Sequence, residues 1–239
     1  MTDIVLVHGA WHGGWCWQKL SRTLEARGHR VLAPDMPGHG ADTTPRSAVN
    51  LAAYTRRLAE VLEPLPAPAV LLGHSMGGML ISSAAEAVPE RIRKLIYLCA
   101  FVPRNGDAMM EVATRVDDRS TLRSRLIPVE NGTATIVPDE LIEPTFYHDC
   151  DAADIRFAKA RLVPQPLAPM TDIAALTDAR FGSIDKAYIE CLQDAAISIG
   201  AQRRMIDRGG ITEVVTLDTS HSPFFSAPET LADAIESMI

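Results

Sequence analysis

The stretch Val70-Leu71-Leu72-Gly73-His74-Ser75-Met76-Gly77-Gly78, inside residues 69–85, decides how the rest of the chain is read. An apolar, β-type run ends in Gly-His-Ser-Met-Gly, and a small-residue run able to form a helix follows at once. This is G-x-S-x-G in the context the motif needs: strand, sharp turn, helix. So tight a turn forces its serine into a strained backbone conformation. Glycines two residues to either side let neighbouring backbone approach without a Cβ clash. Ser75 Oγ is thereby pushed out above a sheet, and the following helix N-terminus points amide dipoles at negative charge developing there. Ser75 is the candidate nucleophile.

Upstream, Ile4-Val5-Leu6-Val7 is a short continuous apolar run, the mark of a strand buried on both faces of a parallel sheet. His8-Gly9-Ala10-Trp11-His12-Gly13-Gly14 follows as a Gly-rich loop. Residues 15–27 read as an amphipathic helix with Trp17, Leu20, Leu24 and Arg27 at helical spacing, closed by Gly28. Residues 30–33 form a second strand and 51–62 a second helix, and Pro64, Pro66 and Pro68 stiffen the connector into the elbow strand. Beyond the elbow helix, Pro89-Glu90-Arg91 closes the unit and residues 94–99 make another strand. The order βαβαβαβ predicts an α/β fold: a mostly parallel sheet, right-handed crossovers and helices on both faces.

The alternation stops at residue 101. Residues 101–182 carry short helical patterns, scattered prolines and several aromatics, which predicts a cap inserted above the strand C-termini. Alternation resumes with a strand over 187–191, a helix over 199–208, a strand over 213–217 and a helix over 228–239. The expected division is a core of 1–100 with 183–239 and an inserted cap of 101–182.

A serine nucleophile needs a base and an orienting acid, which in this arrangement follow it in the order Ser…Asp/Glu…His. His221, just after the last strand in Asp218-Thr219-Ser220-His221-Ser222-Pro223, is the candidate base; His148, the other histidine after Ser75, falls in the expected cap. Of four candidate acids, Asp35 fails the order and Asp218 belongs to the strand exit. Asp194, three residues past a strand, is favoured over Asp107. The oxyanion donors expected are the backbone N–H groups of Met76 and Ala10. The expected substrate pocket includes Trp11 and His74, with Met76 beside them. Phe101, Met109, Met110, Phe146, Tyr147, Phe157, Phe224 and Phe225 are either pocket lining or plain core.

Other chemistries are poorly served. His8 and His12 are spaced i, i+4, but in a loop and without an H-E-x-x-H glutamate, so no metal site is expected. The Gly73–Gly78 cluster matches neither dinucleotide-binding nor P-loop spacing, and no cofactor is expected. At 239 residues, 47% hydrophobic and 22% charged, the chain has material for one sizeable core. A net charge of −7 argues against a nucleic-acid partner and an anionic membrane surface. Prolines and glycines break the uncharged stretch 64–85, so it is not a membrane span. Met1-Thr2-Asp3 enters a strand with no basic run, and the four scattered cysteines form no C-x-x-C pair. The expectation is a cytoplasmic location; a homodimer stays open.

These residues resemble the α/β-hydrolase superfamily, and within it the branch of small methylesterase-like carboxylesterases and hydroxynitrile lyases. The similarity is carried by residues 5–15, by Gly28-His29-Arg30-Val31-Leu32-Ala33-Pro34-Asp35, by Gly73–Gly78, by Tyr188-Ile189-Glu190-Cys191-Leu192-Gln193-Asp194 and by the His221 loop; the cap matches least. The resemblance implies about six strands and places the acid on Asp194. Lyases of the branch carry His-Thr in the oxyanion loop and a lysine directly after the catalytic histidine; here those positions hold Gly9 and Ser222. The resemblance therefore implies a serine esterase acting on small, apolar esters through an acyl-enzyme. A lyase, a thioesterase or amidase on the same residues, and a non-catalytic small-molecule-binding protein are the alternatives.

Overall fold

A computed structural model of the chain describes residues 1–116, 120 and 122–239; the other four positions, all within the expected cap, lie outside the described residues. Six parallel strands form the main sheet in the order β2-β1-β3-β4-β8-β9. They are β1 (Asp3–Val7), β2 (Arg30–Leu32), β3 (Ala69–His74), β4 (Ile92–Leu98), β8 (Lys186–Cys191) and β9 (Glu213–Leu217). β1 and β3 are buried at every residue, as their unbroken apolar runs require, while β2 and β9 at the edges are partly exposed.

The helices between strands are α1 (Gln18–Ala26), α2 (Leu51–Leu62), α3 (Gly77–Ala87) and α9 (Ile199–Gly209), with α10 (Pro223–Ser226) and α11 (Pro228–Glu236) at the end. α2 starts where the Asn50 side chain accepts the Ala53 N–H, and it buries Leu51, Tyr54, Leu58 and Leu62 along one stripe. α2 packs against α3, and α1 against α11. Right-handed crossovers, the rule for parallel strands, running in opposite directions from β1 would put these two pairs on opposite faces. The expected first helix begins differently: residues 14–17 form a 3₁₀ turn before the α-helix, entered from an extended Gly13. The final helix stops at Glu236 rather than residue 239.

Between β4 and β8 lie the short helices α4 (Met109–Val116), α5 (Leu122–Arg125), α6 (Asp139–Ile142), α7 (Ala152–Lys159) and α8 (Ala168–Thr171). With them is an antiparallel sheet of β5 (Ile127–Val129), β6 (Ala134–Ile136) and β7 (Gln165–Pro166), in the order β5-β6-β7, which the helical reading of this region did not anticipate. Its prolines, Pro128 and Pro166, sit in the two edge strands, where a missing N–H does least harm. A π-helical turn, Glu143–Tyr147, extends α6.

Strand order reverses between β1 and β3: the chain leaves β1 for β2 on one side, then returns to β3 on the other. The crevice beyond the carboxyl ends at such a point is where parallel α/β sheets bind ligands. The Gly-rich loop after β1 and the elbow after β3 both open there. Among the described residues, no helix is long and apolar enough to cross a membrane.

Candidate active site

Ser75 sits between β3 and α3 with a φ of 55°, a left-handed conformation that costs a non-glycine residue of order 1–3 kcal/mol. Its main chain is pinned on both sides: the N–H donates to the Leu98 carbonyl at 3.2 Å, and the carbonyl accepts from Phe101 N–H at 3.0 Å. The turn closes because its glycines have no side chains. A Cβ on Gly73 would lie 2.6 Å from the Gly77 carbonyl oxygen, and one on Gly77 would lie 2.7 Å from that of Val7.

His221, in the loop after β9, is buried, and its Nδ1 lies 2.7 Å from Asp194 Oδ2. A carboxylate has no hydrogen to donate, so Nδ1 carries the proton and Nε2 is left as the acceptor. Asp194, in the loop after β8, is held in turn. Its Oδ1 accepts from the N–H groups of Ala196 and Ile197 at 2.7 and 2.9 Å, and Gln202 Nε2 donates to Oδ2 at 3.3 Å. The alternative acid, Asp107, is engaged elsewhere, with Arg115 at 3.0 Å, Arg208 at 2.9 Å and the Arg104 amide at 2.9 Å. Burial acts to raise the Asp107 pKa, but these donors outweigh it and hold the carboxyl below its ordinary range.

His74 links the elbow to the His221 loop. Its Nε2–H donates to the His221 carbonyl at 2.8 Å, and the two rings are 4.4 Å apart. This corrects the expectation that His74 lines the pocket: the ring is fully buried, away from the cavity wall, and burial, with His221 and His12 nearby, pushes its pKa far down. Among the described residues, no hydrogen bond joins Ser75 Oγ to His221; in unliganded sites such bonds often close only around a substrate.

Ala10 and Met76 flank Ser75 on the wall of a pocket. Neither backbone N–H has a protein acceptor among the described residues, so both are open to an oxyanion. The wall also includes Trp11, Phe101, Met109, Met110 and Phe146, with Ser75, Ser120 and Arg123 the polar side chains among the described residues. Tyr147, Phe157, Phe224 and Phe225 instead pack against one another and against Trp15 and Trp17.

His8 and His12 fasten the loop after β1 with both ring nitrogens. His8 Nδ1–H donates to the Gly9 carbonyl at 2.9 Å, and its Nε2 accepts from Met36 N–H at 3.1 Å. His12 Nδ1–H donates to the Ala10 carbonyl at 2.7 Å, and its Nε2 accepts from the Tyr147 hydroxyl at 2.6 Å. Burial pushes both pKa values down, that of His12 to about 4 against the pull of the Ala10 carbonyl. Neither ring has a lone pair left for a metal. Ligand atoms of His74, Cys99 and His221 do lie within 4.8 Å of one another. There, burial keeps the Cys99 thiol protonated, and His74 Nε2 and His221 Nδ1 hold their protons on the His221 carbonyl and Asp194, which leaves His74 Nδ1 and His221 Nε2 each with a lone pair.

Sequence reasoning missed Asp149, which follows the π-helical turn. Its Oδ2 accepts Ser220 N–H at 2.8 Å and its Oδ1 accepts the Ser220 hydroxyl, gripping the residue beside His221. No motif marks it, because it lies 71 residues from its partner. Gly9 and Ser222 are both constrained: a Cβ on Gly9 would lie 2.9 Å from Ser75 Cβ, and Ser222 is fully buried.

The model of the alpha/beta hydrolase family matches residues 4–234. Pyrethroid hydrolase of Sphingobium wenxiniae is 35% identical over 243 residues, covering 98% of this chain and 86% of its own. Salicylic acid-binding protein 2 of Nicotiana tabacum is 33% identical over 246 residues, covering 97% and 94%. The chain spans 62% of the length of one longer chloroplastic relative from Arabidopsis thaliana, to which it is 32% identical. The crystal structure of polyneuridine aldehyde esterase superposes with a TM-score of 0.91 at 25% identity, covering 100% of this chain and 99% of that one. The chain belongs to the alpha/beta hydrolase family, and within it to the carboxylesterase-type hydrolases.

Proposed function

We propose that the protein hydrolyses small, largely apolar carboxylic esters through a Ser75–His221–Asp194 triad and an acyl-enzyme. The observation that carries this reading is the 2.7 Å His221–Asp194 hydrogen bond, set beside a strained serine that opens on an apolar cavity.

The Asp194 carboxylate fixes His221 with its proton on Nδ1, so that Nε2 takes the Ser75 proton as Oγ attacks the ester carbonyl. The oxyanion that forms is held by the Ala10 and Met76 amides. His221 then gives its proton to the leaving alcohol, and deacylation repeats the sequence with water as nucleophile. Every step is acyl or proton transfer, so none calls for a cofactor. The pocket's aromatic and methionine wall suits apolar acyl or alcohol groups. Pyrethroid hydrolase and polyneuridine aldehyde esterase, by their names, point to the same reaction class.

Cyanohydrin cleavage is less well supported. After His221 comes a fully buried serine, so no ammonium stands there to stabilise departing cyanide. A cytoplasmic location fits four free cysteines, three of them buried. The test is turnover of p-nitrophenyl butyrate, the matching thioester and amide, and mandelonitrile by the wild type and Ser75→Ala. Ester turnover that falls at least about 10³-fold in the variant is expected. A wild type that cleaves mandelonitrile but no ester would overturn the reading.

A further inference from the structure

Trp11, next to the oxyanion donor Ala10, has a φ of 62°, an unusual conformation for so bulky a residue. All three of its hydrogen-bonding groups are engaged by the cap. Its backbone N–H donates to Gln165 Oε1 at 3.3 Å, its indole Nε1–H donates to the Thr135 carbonyl at 3.0 Å, and its own carbonyl accepts Val163 N–H at 3.0 Å. Thr135 and Gln165 are directly opposite each other in the β6–β7 ladder, so one pair of the small cap sheet grips Trp11 at two points.

Gln165 is fully buried and uses its whole side-chain amide. Oε1 also accepts from His39 Nε2 at 3.0 Å, while Nε2 donates to the Pro166 carbonyl at 2.9 Å and the Tyr54 hydroxyl at 3.3 Å. The Pro166 carbonyl on one side and the Trp11 N–H on the other permit one orientation of the amide. A satisfied buried network of this kind resists rearrangement.

We propose that Gln165 is a positioning residue for the oxyanion hole, through which the cap holds the Ala10 amide in line with Ser75. The inference rests on the esterase reading of this site. The peptide joining Ala10 to Trp11 is gripped at its oxygen by His12 and at its N–H by Gln165. The Ala10 N–H belongs to the preceding Gly9–Ala10 peptide, whose carbonyl accepts from His8, so Gln165 reaches it through the Ala10 Cα. Without Gln165, the left-handed Trp11 relaxes, Ala10 shifts with it, and its N–H moves off the point where charge develops. Ground-state binding changes less, because Trp11 is one residue of a wall that Phe101, Met109, Met110 and Phe146 also form. The cap is then part of the catalytic apparatus as well as a cover.

The test replaces Gln165 by methionine, which has similar length and no donor or acceptor suited to the network. Read-outs are kcat per site titrated with a fluorophosphonate, KM for p-nitrophenyl butyrate, and inhibition by an alkyl trifluoromethyl ketone beside its methyl ketone analogue. Ser75 Oγ adds to the fluorinated carbonyl, its proton passes to His221, and the carbonyl electron pair becomes an oxyanion; the methyl ketone samples the cavity. Gln165→Met should lower kcat per labelled site about 10- to 100-fold, leave KM within about threefold, and weaken the trifluoromethyl ketone in parallel with kcat while sparing the methyl ketone. A residue needed only for folding would reduce the number of labelled sites and leave kcat per site unchanged, which would overturn the proposal. If Gln165→Met does not fold, Gln165→Asn, which draws the acceptor back by one methylene, is read by the same criteria. In the wild type, the Trp11 amide should exchange slowly with deuterium, and exchange as fast as an open loop overturns the proposal without any variant. A wild type that neither labels nor hydrolyses, yet protects this amide, would fault the esterase reading and leave the clamp standing.

Discussion

His221 Nδ1 lies 2.7 Å from Asp194 Oδ2, the two side chains reaching each other from loops after the adjacent strands β8 and β9. Both are buried, so water does not compete for the bond. Asp194→Asn can offer its NH₂ to the ring and so favours the wrong tautomer; kcat should fall by about 10⁴. Asp107→Asn should leave kcat within about threefold and lower the thermal midpoint, since Arg115 and Arg208 lose their carboxylate. Steady-state kinetics and calorimetry on the two variants separate the roles, and a large kcat loss in Asp107→Asn would contradict them.

Gly9 is the contact point between the oxyanion loop and the nucleophile. A methyl group there would meet Ser75 Cβ at 2.9 Å and His74 Nδ1 at 3.0 Å, and β1 and β3 are hydrogen-bonded neighbours that cannot separate cheaply. Gly9→Ala should lower kcat by at least about tenfold, more than it changes KM. Unchanged kinetics would show that the loop yields without moving the site.

Asp149 grips the backbone and hydroxyl of Ser220, one residue before His221. Asp149→Ala should lower kcat about tenfold and the thermal midpoint by several degrees, because a part-buried hydrogen-bonded carboxylate is lost. Adding Ser220→Ala should then cost little more, giving a coupling of roughly 1–3 kcal/mol in a double-mutant cycle. Additive effects would show that the two side chains act separately.

The buried histidines set the response to acid. His8, His12, His39 and His74 all have pKa values lowered by burial, that of His12 to about 4. In the unfolded chain they titrate near 6.5, so between these values the unfolded state binds more protons. Their contribution to stability is complete above about pH 6.5 and is lost as pH falls toward 4. His12 alone accounts for of order 3 kcal/mol across that window. Denaturant midpoints should be level from pH 7 to 8 and drop steeply from pH 6 to 4.5, and a flat profile down to pH 4.5 would contradict this burial.

The elbow and the strand runs were legible in the sequence because each is local, a pentapeptide or an apolar run. The sequence also favoured Asp194 by its offset from a strand, and the structure sets its carboxylate against His221. His74 was misread because its partner, the His221 carbonyl, is 147 residues away and backbone acceptors leave no sequence signature. Asp149 and Gln165 stand among unremarkable polar residues between β4 and β8 and acquire meaning only from the loops they reach. The small antiparallel sheet escaped notice because its strands are two or three residues long, too short for an alternating pattern, and its edges contain proline. The 3₁₀ entry to α1 starts at Gly14 after an extended Gly13, which helical periodicity alone does not weigh.

The central claim is that Ser75 carries the acyl group. Rapid acid quench of the enzyme with p-nitrophenyl butyrate, followed by intact mass and peptide mapping, reads this directly. The account predicts a burst of one p-nitrophenolate per site and a butyryl adduct on the peptide containing Ser75, both absent in Ser75→Ala. An adduct on another residue, or full turnover by Ser75→Ala, would contradict it.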